Sequence, residues 1–103
     1  MNLVQLQREL AEHFPKVWIK EGSLFSNDHC ESLWTGEGSM IDVPGGTVDG
    51  NMFEGGEVEA FDMYSIFPSL YEFGVHVDLA RFLRERGYYA EAHDPGTFFI
   101  WQA

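Results

Sequence analysis

Sixty consecutive residues, 21 to 80, contain no lysine or arginine. The same stretch carries twelve carboxylates: Glu21, Asp28, Glu31, Glu37, Asp42, Asp49, Glu54, Glu57, Glu59, Asp62, Glu72 and Asp78. No cation within the tract can neutralise them, so a fold must spread these side chains over its surface or bring bases to them from the two ends. The ends hold five acids and six bases, so nearly the whole formal charge of −11 belongs to the middle. Solubility alone asks only for a modest net charge, roughly 2 to 8 for a small domain, with both signs interspersed. Segregation on this scale predicts either a solvated acidic face or a surface that meets a basic groove.

An acidic chain still folds if it has enough apolar material. At 103 residues and 45% hydrophobic, with 16% aromatics, this one has the size and composition of a single domain with its own core. The acidic balance repels phosphates and so disfavours direct binding to nucleic acid or an anionic membrane. Apolar runs as short as Phe98 to Trp101 predict no transmembrane helix, and the first residues lack the basic region and apolar stretch of a signal peptide. Cys30 is the only cysteine, so no internal disulfide forms and a reducing, cytoplasmic setting is expected.

Periodicity divides the chain into elements. Leu3, Leu6, Leu10 and Phe14 recur at helical spacing, with Asn2 as a cap, Gln5 as its capping-box partner and Pro15 as a stop. Lys16 to Lys20 alternates and predicts a short strand, and Ser32 to Thr35 a second one, with a polar loop from Glu21 to Glu31 between them. Gly36 to Gly56 holds seven of the eleven glycines and Pro44, which predicts irregular backbone around an Asp49-Gly50 turn; Met40, Ile41, Val43, Val48, Met52 and Phe53 are scattered through it, so parts of the stretch are expected to lie on the core. Glu57 to Tyr64 alternates again and predicts a strand leading into a loop closed by Pro68. Val75, Leu79, Phe82 and Leu83, with Arg81, Arg84 and Arg86 before Gly87, predict a second helix capped near Gly74. Tyr88 to Ala92 and Thr97 to Trp101 flank Asp94-Pro95-Gly96 and predict a C-terminal β-hairpin. The sum is an α+β domain, residues 1–103, with a mainly antiparallel sheet and two helices packed on one face.

Several constellations invite a chemical role. Asp28-His29-Cys30-Glu31 gathers four reactive groups, but neighbours point apart on a strand or helix and miss the separations of zinc ligands, so a polar turn is expected. Gly36-Glu37-Gly38 begins like a dinucleotide fingerprint, yet Ile41 stands where the third glycine belongs and no lysine follows. Asp42, Asp49 and Asn51 offer hard oxygens without the spacing of an EF-hand. His76 and Asp78 at a helix start, His93 and Asp94 in a turn and His13 at a helix end all have structural explanations. No catalytic residue, metal or cofactor is therefore expected. The residues nominated for a partner are Glu37, Asp42, Asp49, Glu54, Glu57, Glu59 and Asp62, with Trp34 and Phe53, and Tyr64 beside them, as aromatic anchors.

The segments Gly36-Glu37-Gly38-Ser39, Ala60-Phe61-Asp62, Gly74-Val75-His76, Gly87-Tyr88-Tyr89-Ala90-Glu91 and Asp94-Pro95-Gly96-Thr97 together resemble small acidic bacteriophage-encoded proteins of unassigned function. The resemblance carries no functional residue. It implies a context in which a small acidic protein occupies a site on a host protein, as do proteins that imitate the charge of DNA. The aromatic content and near-neutral ends depart from the most extreme mimics. The leading expectation is a non-enzymatic binding protein whose acidic tract docks on a basic site of a nucleic-acid-handling host protein, in the host cytoplasm. The alternatives are a metal-binding protein or enzyme using His29, Cys30, His76 and His93, and an assembly protein whose aromatics build a homo-oligomer.

Overall fold

Asn2 opens the first helix with a reciprocal capping box: its Oδ1 accepts from the Gln5 backbone N–H at 2.9 Å, and the Gln5 side chain accepts from the Asn2 N–H at 3.0 Å. The computed structural model, which describes residues 1–103, continues this as helix α1, Leu3–His13, with Leu6 and Leu10 buried. The Phe14 N–H closes the last turn on the Leu10 carbonyl, and Pro15 prevents another.

The next segment departs from the expectation. Only Lys20–Glu21 pairs as a strand, β1, while Lys16 to Ile19 forms no ladder. Hydroxyls replace it: Thr35 Oγ1 donates to the Trp18 carbonyl at 2.6 Å, and Ser39 Oγ accepts from the Trp18 N–H at 3.2 Å. These buried side chains satisfy backbone groups that an extended run would otherwise offer to a neighbouring strand.

The remaining strands are β2 (Leu33–Gly36), β3 (Met40–Val43), β4 (Gly46–Val48), β5 (Asn51–Phe53), β6 (Gly56–Glu59), β7 (Tyr71–Glu72) and β8 (Val75–His76). Helix α2 (Val77–Glu85) follows, then β9 (Tyr88–Asp94) and β10 (Thr97–Gln102). Every pairing is antiparallel. The main sheet has the order β1-β2-β10-β9. Alternation sends Phe98 and Ile100 of β10 inward, where they join Leu33 and the buried leucines of α1 and α2 in one core with Val17, Ile41, Ala60, Phe61, Val75 and Tyr88. The chain is thus an α+β domain in which both helices share the core with the inner face of the sheet.

Two hairpins leave this body. The first spans β3 to β6. Met40 to Val43 pairs with Gly56 to Glu59, and Gly46 to Val48 pairs with Asn51 to Phe53 across a two-residue Asp49-Gly50 turn whose φ values, 50° and 78°, suit the twist of a hairpin. A stretch predicted to be irregular is therefore a two-stranded ribbon, interrupted at Pro44-Gly45 and Glu54-Gly55. The second hairpin, β7 and β8, turns at Phe73-Gly74 and meets Phe61 through Val75. Its last residue caps α2: His76 Nδ1 accepts from the Asp78 N–H at 3.1 Å, two residues beyond the expected cap near Gly74. No helix is long and apolar enough to cross a membrane.

Candidate protein-binding surface

The ribbon concentrates the nominated acids. Asp42 lies on β3, Asp49 in the turn, Glu54 at the interruption, and Glu57 and Glu59 on β6, all exposed. Register sets Asp42 directly opposite Glu57, an arrangement that repulsion disfavours. A cation from outside the acidic tract resolves it: Lys16 Nζ lies 3.0 Å from Asp42 Oδ1 and 2.7 Å from Glu57 Oε1. Its ammonium is accordingly held above the usual lysine range, first by the hydrogen bond to Glu57 and then by that to Asp42. All three side chains remain largely in water, so salt screens the contact.

Of the other five bases, Arg8 lies unpaired on α1 and four are engaged elsewhere. Arg81 pairs with Asp78, Arg84 with Glu72 and Arg86 with Glu9, while Lys20 lies over the rings of Trp18 and Trp34. Apart from Lys16, then, the ribbon keeps its charge. Glu37 and Glu59 join the half-buried Asp62 around a depression of about 210 Å³ below Tyr64. Nearby, the Tyr71 hydroxyl donates to the Glu59 carbonyl at 2.5 Å. Burial, then the charges of Asp62 and Glu59, push its pKa up to about 12, so the phenol stays a donor.

Asp49 has a structural duty as well. Its Oδ2 accepts from the Ser69 N–H at 3.0 Å, tying the ribbon tip to the single helical turn Pro68–Leu70, and the Phe53 ring meets the edge of Phe67 beside this tie. Phe53 is therefore half-buried. The freest apolar side chains nearby are Met52 at 92% exposure and Tyr64 and Ile66 at 80% each. Of the apolar residues of this stretch, parts of which were expected on the core, Ile41 is buried in it and Val43 packs against it, whereas Met52 points into water. Nothing in the sequence marks Ile66 or Met52 as displayed.

Trp34 belongs to a different surface. It lies on the outer face of the main sheet, half-buried under Lys20 and edge-on to both Trp18 and Phe25. Phe99 faces the same way, stacked on His29 with ring centroids 4.0 Å apart, and His93 stands 5.9 Å from His29. The turn Asn27–His29 thus folds over the sheet, pinned by a 2.7 Å hydrogen bond between Ser26 Oγ and His29 Nδ1. Cys30 is exposed, and His76 lies apart in the core. No three His, Cys, Asp or Glu side chains are placed to hold a metal ion together. Asp42 and Asp49, considered for calcium, face Lys16 and the Ser69 amide.

The acids Glu37, Asp42, Asp49, Glu54, Glu57, Glu59 and Asp62 thus occupy the ribbon and its root, Phe53 lies at the ribbon tip, and Trp34 lies on the outer face of the sheet. Comparisons with protein-family models, with curated proteins and with solved structures return no match, so the functional reading rests on this geometry.

Proposed function

We propose that the chain is a non-enzymatic binding protein, an inhibitor of the kind bacteriophages encode, whose acidic ribbon docks on a basic site of a host nucleic-acid-handling protein. One observation carries the reading: a two-stranded ribbon displays Asp42, Asp49, Glu54, Glu57 and Glu59, with Glu37 and Asp62 at its root, against a single bridging lysine. Carboxylates spaced along a two-stranded ribbon present a run of negative charge, as a phosphate backbone does, and a groove lined with Lys and Arg attracts either. Met52, Tyr64 and Ile66 supply apolar contact, which gives specificity that charge alone does not.

The test uses acids with no ion pair to lose. Glu37, Glu54 and Glu59 form none, whereas Glu57 and Asp42 hold Lys16. The immobilised protein is exposed to bacterial lysate beside an E37K/E54K/E59K variant, and bound proteins are eluted in salt steps and then with a DNA duplex. The reading expects a nucleic-acid-binding protein that leaves with salt, is displaced by the duplex and is absent from the variant. Identical recovery on both, or retention indifferent to salt and duplex, overturns it.

A further inference from the structure

We propose a second binding surface: the free edge of β9 takes up an extended, basic segment of another protein as an added strand, with an apolar side chain of that segment seated beside Phe73. This surface uses residues outside the ribbon, so it can fail while the ribbon reading stands, and the reverse.

Three observations converge on it. First, β9 is the last strand of the main sheet and pairs only with β10, so the backbone groups along its other edge have no strand partner. Seven residues is a long edge to leave open. Natural proteins blunt such edges with charged side chains, proline, bulges or a covering loop. Tyr88 to Asp94 contains no lysine or proline, and its charges, Glu91 and Asp94, are acidic. The one irregularity in its pairing lies at its end, between Ala92 and Asp94, so Tyr88 to Ala92 stays regular. Second, an apolar groove of about 390 Å³ adjoins it, walled by Phe73, Val75, Ala80, Tyr88, Tyr89 and Ala90. That is within the size range of a small ligand site and ample for one aromatic or branched side chain. Backbone pairing along an edge, with a pocket for an alternate side chain, is how strand addition combines affinity with specificity.

Third, Phe73 itself is anomalous. It occupies the first position of a two-residue turn with φ at 49°, where asparagine, aspartate or glycine is strongly preferred, and its side chain is 96% exposed. Neither the turn nor the core asks for an aromatic residue there. A strained backbone that displays a large apolar ring in water fits a contact made with a partner.

Charge selects the occupant. Glu72 beside the groove and Glu91 and Asp94 on the edge strand are exposed, and the one base at the groove, Arg84, is paired with Glu72 at 3.2 Å. A second copy of this chain would bring another charge of −11 to the same edge, whereas a strand carrying lysine or arginine between apolar residues is attracted.

The probe is an acetylated, amidated nine-residue peptide of alternating lysine and valine with phenylalanine at its centre, titrated into isotope-labelled protein by NMR. Two controls accompany it: the same peptide N-methylated on alternate amides, which keeps the side chains but cannot complete a strand, and a peptide with glutamate for lysine. Shifts and slowed amide exchange should fall on residues 88–94 and around the groove. N-methylation and Phe73→Asn should each weaken binding about tenfold or more, the size of loss when one anchor contact goes. Because asparagine suits the turn, the same variant should unfold at a higher temperature than the parent, so weaker binding cannot be misread as misfolding. Absence of binding at millimolar peptide overturns the proposal. So do shifts confined to residues 40–59, equal binding of the N-methylated or glutamate peptide, parental affinity in Phe73→Asn, or a dimer paired through β9 without peptide.

Discussion

His76 shows how one side chain can join fold and pH. Only 1% exposed, it caps α2 by accepting from the Asp78 N–H through Nδ1, which places the proton of the neutral ring on Nε2. That N–H has no hydrogen-bond acceptor, and the ring of Tyr71 stands edge to face with the imidazole at 5.7 Å. A second proton would have to displace the cap and place a charge in the core. Burial therefore lowers the pKa below the ordinary 6.5, against a smaller opposing pull from Asp78. The unfolded chain takes up this proton near pH 6.5 and the folded chain only at lower pH. Stability from this group is full above 6.5 and is lost as pH falls from there to the folded value. His76→Asn keeps a capping acceptor without a titrating group. Urea unfolding at pH 7.5 and 5.5 should show a smaller loss of midpoint in the variant than in the parent. Equal losses would place the pH dependence elsewhere.

Elements were legible in the sequence where burial enforces a period. Both helices were, because Leu6 and Leu10 or Leu79 and Leu83 must face one core, and the caps at Asn2 and Gly87 are local chemistry. Asn2→Ala, which removes one half of the capping box, should cost about 1 kcal/mol in chemical denaturation. Of the ribbon, the Asp49-Gly50 turn and the alternation from Glu57 that marks β6 were legible, whereas β4 and β5 were not, because strands clear of the core impose no alternation of apolar and polar residues. The aromatic cluster of Phe25, His29, Trp34, His93 and Phe99 escaped for another reason: it joins residues up to 74 positions apart through the register of β2, β9 and β10. Lys16 to Lys20 misled because its alternation serves the buried hydroxyls of Thr35 and Ser39 in place of a ladder. Glycine gives the ribbon its crossing. A Cβ on Gly55, at φ 89°, would stand 2.6 Å from the Gly45 backbone nitrogen. Gly55→Ala should therefore cost about 1–3 kcal/mol, mostly in the ribbon, through strain and the clash. Amide exchange should quicken across residues 40–59 while β9 and β10 keep their protection, and uniform loss of protection would show that ribbon and body unfold as one unit.

At the scale of the whole molecule, one charge distribution acts on two equilibria with opposite sign. Within the folded chain the ribbon acids repel one another, and only Lys16 stands among them, so added salt should screen more repulsion than attraction and raise the melting temperature. Between the chain and a basic partner the same acids attract, so added salt should weaken association. E37K/E54K/E59K changes both together. Each reversal shifts the charge by two, which takes the formal value from −11 to −5. The variant should melt higher than the parent at low salt, gain less from added salt and lose its salt-sensitive partner. A merely solvated acidic face would show the first two effects without the third. Melting curves and partner capture, measured across the same range of about 10 to 300 mM salt, over which the Debye length falls from about 30 Å to below 8 Å, therefore separate a surface that is only charged from one that is charged in order to bind.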